Sequence, residues 1–331
     1  MPVAPAPATR RRGTGTRLSR GVPVIGYIIR RLLWVIPVLL VSTVLTFGLM
    51  HSIPGNPFQK VERPLAPAVV KQLMSYYHLD ESVPQQYLRY MGNALRGDFG
   101  PSFQFRDRSV NDIVRGGFPV SAVLGLLALV VALIIGVPLG IVSALKHNTA
   151  VDYFSMVFAL AGVSVPAMTM GPLLMWVFAL KLDILPVARW GTWQQAILPA
   201  ITLGIGSAAI LARLTRASML QVLREDYIRT ARAKGVPEWL VMIRHALRNA
   251  LVPVITVLGP MAAGLVTGSL VVERIFAIPG LGKYYVDAVS ARDYPVIMGT
   301  TLLYALLLVF ANLAVDITYT WVDPRIKLSQ R

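Results

Sequence analysis

The stretch Val120–Leu145, VSAVLGLLALVVALIIGVPLGIVSAL, decides the fold class. It contains no Asp, Glu, Lys or Arg. At a rise of about 1.5 Å per helical residue, such a run matches the roughly 30 Å hydrocarbon core of a bilayer. Working outward, comparable runs occur at Leu32–Met50, Tyr153–Leu180, Ile197–Ala212, Leu251–Val272 and Met298–Thr320. The fourth is short and is predicted to extend past Arg213, whose long side chain can reach the interface. Pro138, Pro166, Pro172, Pro199 and Pro260 fall inside these runs, where neighbouring helices satisfy the carbonyls that proline frees. The whole chain agrees: of 331 residues, 55% are hydrophobic and 15% charged, against about 25% charged in a soluble domain. Its mean hydropathy is +0.60. The expectation is an all-α integral membrane protein with six transmembrane helices.

The net charge of +16 would point to nucleic acid in a soluble protein. Here it sits between apolar runs and reads as topology, so no nucleic-acid partner is expected. One set of connections and tails carries nineteen Lys and Arg, the opposite set thirteen. Long loops cross regardless of charge, and much of the smaller set lies in one long segment. Both termini are therefore predicted on the cytoplasmic side of an inner membrane. The division expected is an Arg-rich tail (1–30), a first transmembrane helix (31–52), an external segment (53–118), a five-helix core (119–320) with a cytoplasmic loop (213–250), and a C-tail (321–331). No small-x-small site follows the first run, which is read as an uncleaved span. With no cysteine, disulfides, thiolate metal sites and cysteine nucleophiles are excluded.

The external segment is rich in Pro, Gly and aromatics, with short helices predicted around Ala68–Tyr77 and Gln85–Leu95. A spacer has no use for Tyr76, Tyr77, Tyr87, Tyr90, Phe99 and Phe103. A folded cap is expected, packed on the spans and open to docking by a partner.

The loop Arg216–Asn249, RASMLQVLREDYIRTARAKGVPEWLVMIRHALRN, reads as two amphipathic helices. Leu223, Tyr227 and Ala231 form the apolar stripe of the first, and Leu240, Ile243 and Leu247 that of the second. Gly235 ends the first and Pro237 suits the first turn of the next. Such an elbow transmits force if a cytosolic partner grips it. The alternative is a basic loop lying on anionic membrane lipid.

The run Arg229-Thr230-Ala231-Arg232-Ala233-Lys234-Gly235 resembles the "EAA" loop of type I ABC-importer permeases, Glu-Ala-Ala, three variable residues, then Gly. Arg229 and Thr230 depart from that pattern, while Ala231 and Gly235 keep it. Further text is similar to the peptide-permease branch: Pro54-Gly55-Asn56-Pro57, Arg96-Gly97-Asp98-Phe99-Gly100, Glu273 to Gly282, Arg292-Asp293-Tyr294-Pro295 and Asp323-Pro324-Arg325-Ile326. The resemblance, from about Gly26 to Leu328, is to the B-type permease subunit of an oligopeptide or dipeptide importer. It implies the type I ABC importer permease fold and a heterodimeric pore with a homologous C-type permease subunit. It also implies two cytosolic ATPase subunits that bind ATP and magnesium, and an external peptide-binding protein or lipoprotein. Residues 229–235 would couple the ATPase to the pore, peptides would cross by alternating access, and the permease itself would hold no catalytic residue or cofactor. Nickel, glutathione or another small solute is the alternative cargo.

Other motifs resolve blandly. Gly204-Ile205-Gly206-Ser207-Ala208-Ala209 lies in an apolar run without a βαβ unit, so it is read as helix packing; Gly264 with Gly268 is read as packing too, with a thin wall facing the pore as the alternative. Gly280-Leu281-Gly282-Lys283 lacks the first Gly and the final Ser or Thr of a phosphate loop. Four scattered histidines offer no metal-ligand spacing. An ion-driven secondary transporter needs ionisable groups at membrane depth, and the clearest in any predicted run is Asp316.

Overall fold

The computed structural model describes residues 24–58, 65–105, 107–268 and 270–322, with side chains described from 33 to 314 within them. The Arg-rich tail, the Asp323–Ile326 motif and the Asp316 side chain lie outside that description. Among the described residues the regular secondary structure is helical, apart from one antiparallel bridge between Pro101 and Ser109.

In chain order the helices are α1 (Val24–Ser52), α2 (Pro67–Tyr76), α3 (Val83–Ala94), α4 (Val110–Leu145), α5 (Ala150–Ser164) and α6 (Ala167–Leu174), which passes into a π-helical turn at Met175–Lys181. Then follow α7 (Trp193–Val222), α8 (Asp226–Ala233), α9 (Glu238–Leu240), a π-helical stretch Val241–Leu247 and α10 (Arg248–Ala250). The chain continues with α11 (Val252–Val266), α12 (Leu270–Ile275), α13 (Leu281–Ala291) and α14 (Tyr294–Val322). Among the described residues five segments are long and apolar enough to cross a membrane: α1, α4, α7, α11 with α12, and α14. α7 runs past Arg213 to Val222, as the sequence predicted.

The third predicted span is corrected. Tyr153–Leu180 is not one straight helix but a pair, α5 and α6, bent by 109°. Pro166 causes the break. Its ring lacks an N–H and crowds the preceding residue out of the helical region, and Val165 accordingly sits at φ −86°, ψ 115°. The Pro166 carbonyl then starts α6, accepting from Thr169 and Met170 N–H at 2.9 Å each. Pro138, Pro172, Pro199 and Pro260 lie inside continuous helices, as expected.

α4 and α7 form the central pair, and glycine sets their spacing. A β-carbon on Gly136 would stand 2.4 Å from the Ala208 carbonyl oxygen, one on Gly140 2.5 Å from that of Ala212, and one on Gly204 2.5 Å from that of Ala128. Backbones this close pack through van der Waals contact and weak Cα–H···O bonds. The packing reading of Gly204 therefore holds. Within this chain Gly264 has open space beside it, while Gly268 adopts φ +89° at the α11–α12 break.

The segment between α1 and α4 folds as a cap, with α2 and α3 close to their predicted positions. Tyr87, Tyr90 and Phe99 pack on a buried cluster that includes Phe47, Ile113, Val296 and Met298. Two motifs distant in sequence meet here, for the Arg292 guanidinium fills the space beside Gly55, where any side chain would collide with it. The neighbouring Asp293 carboxylate is fully buried and accepts from the Ser102 hydroxyl and, at 3.1 Å, the Gln104 N–H. The Gln104 amide donates to the carbonyls of both Pro57 (3.1 Å) and Ala291 (3.0 Å).

Candidate functional site: an elbow seated on the bundle

At the opposite end of α4, the chain leaving α7 makes the elbow. α8 opens with Asp226 and closes with Arg232, each sign placed to suit the helix dipole. Gly235 reverses the chain at φ +76°, a left-handed conformation that glycine adopts without steric cost. Val236 N–H returns to the Ala231 carbonyl at 3.3 Å, and Pro237 accepts the first bonds of α9 from Leu240 and Val241. Across the bend, Arg232 grips both oxygens of Glu238, at 3.1 and 2.5 Å. That bond holds the Glu238 carboxyl below its usual range. Both partners are exposed, so the pair orients the bend more than it stabilises the fold.

The buried face keeps Leu223, Ala231 and Leu247 of the stripes read from the sequence and departs from them at Tyr227 and Ile243. Leu223 ends α7 and does not belong to α8; Tyr227 is exposed, and Ile228 with Ala231 point inward. In the second arm Ile243 is exposed, and the inward residues are Val241, Ala246 and Ala250. The π-helical winding explains the shift, because its wider turn puts residues five apart on one side. These side chains pack on Ala144 at the end of α4 and Met219 near the end of α7. Asn249 donates to the Tyr227 hydroxyl at 2.9 Å, tying the arms together.

Of the predicted coupling residues, Arg229, Thr230, Arg232, Ala233, Lys234 and Gly235 are exposed and Ala231 is buried. Arg229 lies 3.4 Å from Asp226, and the Thr230 hydroxyl donates to the Asp226 carbonyl at 2.9 Å. Beside them stand Trp239, 65% exposed, and Ile243, 60% exposed. Two large apolar side chains thus stand exposed next to a basic helix. Periodicity hid Ile243. Trp239, immediately after Pro237 and Glu238, could have been found as an aromatic off the predicted stripe.

A buried ion pair anchors the elbow to α5. Asp152, 2% exposed in the first turn of α5, accepts from Arg216 Nε at 2.7 Å and Nη2 at 2.8 Å. Ser143 on α4 donates to it at 2.5 Å and the Asn148 N–H at 3.0 Å. α4, α5 and α7 are thereby locked together beneath the elbow. At the cap end, the fully buried Glu273 of α12 takes the Gly282 N–H at 2.7 Å and the Lys283 N–H at 3.3 Å. The first turn of α13 thus binds an internal carboxylate. Both acidic groups lie just outside the runs read as charge-free. Among the described residues no three His, Asp or Glu side chains are grouped to hold a metal ion.

Comparison with known proteins follows this geometry. Residues 136–328 match the family model described as binding-protein-dependent transport system inner membrane component, and residues 24–124 match the model of its N-terminal region. The dipeptide transport system permease protein DppB of Bacillus subtilis is 48% identical over 305 residues, covering 92% of this chain and 99% of that protein. The oligopeptide transport system permease protein OppB of Salmonella typhimurium is 42% identical over 306 residues, covering 92% and 100%. The glutathione transport system permease protein GsiC of Escherichia coli is 43% identical over 305 residues, covering 92% and 99%. Among solved structures, a chain of the inward-facing MetNI methionine ABC transporter matches with TM-score 0.55 at 16% identity, over 64% of this chain and 96% of that one. That likeness concerns the fold.

Proposed function

The chain belongs to the family of binding-protein-dependent transport system inner membrane components, and on that premise we propose that it forms half of the pore of an ATP-driven peptide importer. The other half is a homologous C-type permease subunit. Of two cytosolic ATPase subunits, which bind ATP and magnesium, one docks on this elbow and the other on the homologous subunit, and an external peptide-binding protein delivers cargo at the cap. Both termini and the elbow face the cytoplasm. Peptide cargo is supported by the relatives named for dipeptide and oligopeptide transport, and glutathione, the cargo in another relative's name, is itself a tripeptide.

The observation that carries the mechanism is the seat of the elbow. Its inner face packs on α4 and α7, and the Asp152–Arg216 pair adds α5. A force applied at Arg229–Gly235, Trp239 and Ile243 therefore moves three helices as one body. The interruptions at Pro166 and Gly268 let the remaining segments yield. ATP-driven approach of the two ATPases then turns the pore outward, and hydrolysis returns it.

Trp239→Glu places a charge on a surface residue without touching the buried face. It is expected to weaken ATPase capture by about 30-fold or more, the loss typical of an interfacial aromatic anchor. Gly235→Pro fixes φ near −65° where +76° is required, and is expected to bring ATP-driven uptake to background. Co-purification and proteoliposome uptake check both. If Trp239→Glu transports and holds its ATPase like the wild type, the elbow is not the docking site. For cargo, exchanging the external binding protein is expected to change which peptides enter. Unchanged peptide preference after that exchange would place selection in the permease instead.

A further inference from the structure

Between the cap and the start of α14 lies a cavity of about 300 Å³, the small end of the roughly 300–1,000 Å³ range of ligand sites. Its walls are largely aromatic. His51 stacks on Phe47 at 4.2 Å and meets Tyr294 at 5.0 Å, while Phe103 meets Tyr77 at 4.6 Å and Tyr294 at 6.2 Å. Tyr76 stands edge-on to Tyr77 at 5.0 Å and is exposed at the rim.

Of the two charged side chains on the cavity wall, Arg89 and Asp98, only the first is paired, with a carboxylate outside the lining. The Arg89 guanidinium is taken by both oxygens of Glu81, at 3.2 and 2.5 Å. His78 also meets Glu81, at 3.2 Å. His51 is engaged by Phe47 and Gln86. Asp98 accepts only the Gly100 N–H, at 2.9 Å, and no cation pairs with it among the described residues. Its field reaches the interior: the Tyr90 hydroxyl is pushed above its ordinary range, first by burial and then by the Asp98 charge.

Aromatic faces attract cations, and a carboxylate with no counter-ion among the described residues adds a directed partner for an ammonium group. Apolar walls accept the hydrocarbon attached to it. We propose that this cavity binds the N-terminal residue of a peptide, its ammonium group at Asp98 and a large apolar first side chain among the rings. The choice of a peptide rests on the cargo reading above; the chemistry of the site does not.

The test uses the complete transporter in detergent, without the external binding protein or ATP, titrated calorimetrically with phenylalaninamide. Saturable binding is expected, at least about tenfold weaker in Asp98→Asn, which keeps the oxygen that accepts from Gly100 but removes the charge. Tyr76→Ala is expected to weaken it about three- to tenfold and Tyr76→Phe to restore it. N-acetylphenylalanine, which has the ring but no ammonium, is expected to bind at least tenfold more weakly. Equal binding of the two compounds, no binding of either, or an unchanged Asp98→Asn variant overturns the proposal. Peptide uptake measured in parallel separates the two readings. Normal uptake without phenylalaninamide binding removes this site alone, whereas binding without any peptide uptake removes the cargo reading.

Discussion

Arg216→Ala is expected to yield little folded permease, and what can be purified should melt well below the wild type. The substitution removes two charge-assisted bonds from Asp152 and leaves a carboxylate buried at 2% exposure with a hydroxyl, an amide and a histidine around it. Breaking a buried pair by deleting one partner costs about 3–5 kcal/mol. Arg216 is a quarter exposed, which places the loss toward the low end, on the order of 3 kcal/mol. That is a large part of the roughly 5–15 kcal/mol that holds a domain together. Arg216→Lys keeps the charge but cannot reproduce the two-point grip, and should fall between. The double variant Asp152→Asn with Arg216→Gln removes both charges and is expected to recover part of the loss. Melting followed by fluorescence-detected size exclusion orders the four proteins, and wild-type behaviour of Arg216→Ala would refute the anchor.

Gly140→Leu is expected to be equally severe for a steric reason. Even the β-carbon of alanine would stand 2.5 Å from the Ala212 carbonyl oxygen, so α4 must move off α7. Overpacking of this kind costs about 1–3 kcal/mol even where side chains can adjust, and here the obstacle is backbone. The same displacement would lift Ala144 from beneath Ile228 and Val241, so ATPase capture should fall together with stability. Gly264→Leu is the control: nothing lies within 4 Å of its β-carbon, and the purified subunit should melt within a degree or two of the wild type. Matching losses at the two glycines would show that side-chain size alone, and not the α4–α7 approach, explains the result.

These two sites also mark what the sequence disclosed. Apolar length read as bilayer thickness located the five helical segments long enough to cross and the run that holds the bent α5–α6 pair, because that constraint acts on each segment separately. The elbow was legible for the same reason: Gly235 and Pro237 impose their backbone angles whatever surrounds them. Pro166 was legible as a residue but not as a 109° bend, since Pro138 and Pro199 sit in helices that continue through them. Whether neighbours repair the gap is a tertiary matter. Ile243 was misplaced because a 3.6-residue period was applied to a stretch wound more widely. The Asp152–Arg216 pair escaped because its members are 64 positions apart and each stands at the border of a run, where a charge is unremarkable. Glu273 was passed over likewise, as one acid in a connection.

The clasp of Arg292 over Gly55, with Gln104 bridging Pro57 to Ala291, sets an order of events during synthesis. Gln104 must wait for a residue 187 positions later, which at about 5–20 residues per second is a delay of roughly 10–40 s. Through that interval Tyr87, Tyr90 and Phe99 lack the Val296 and Met298 side chains of the cluster they pack on. The cap therefore completes its packing only after the segment leading into the last helix has been made.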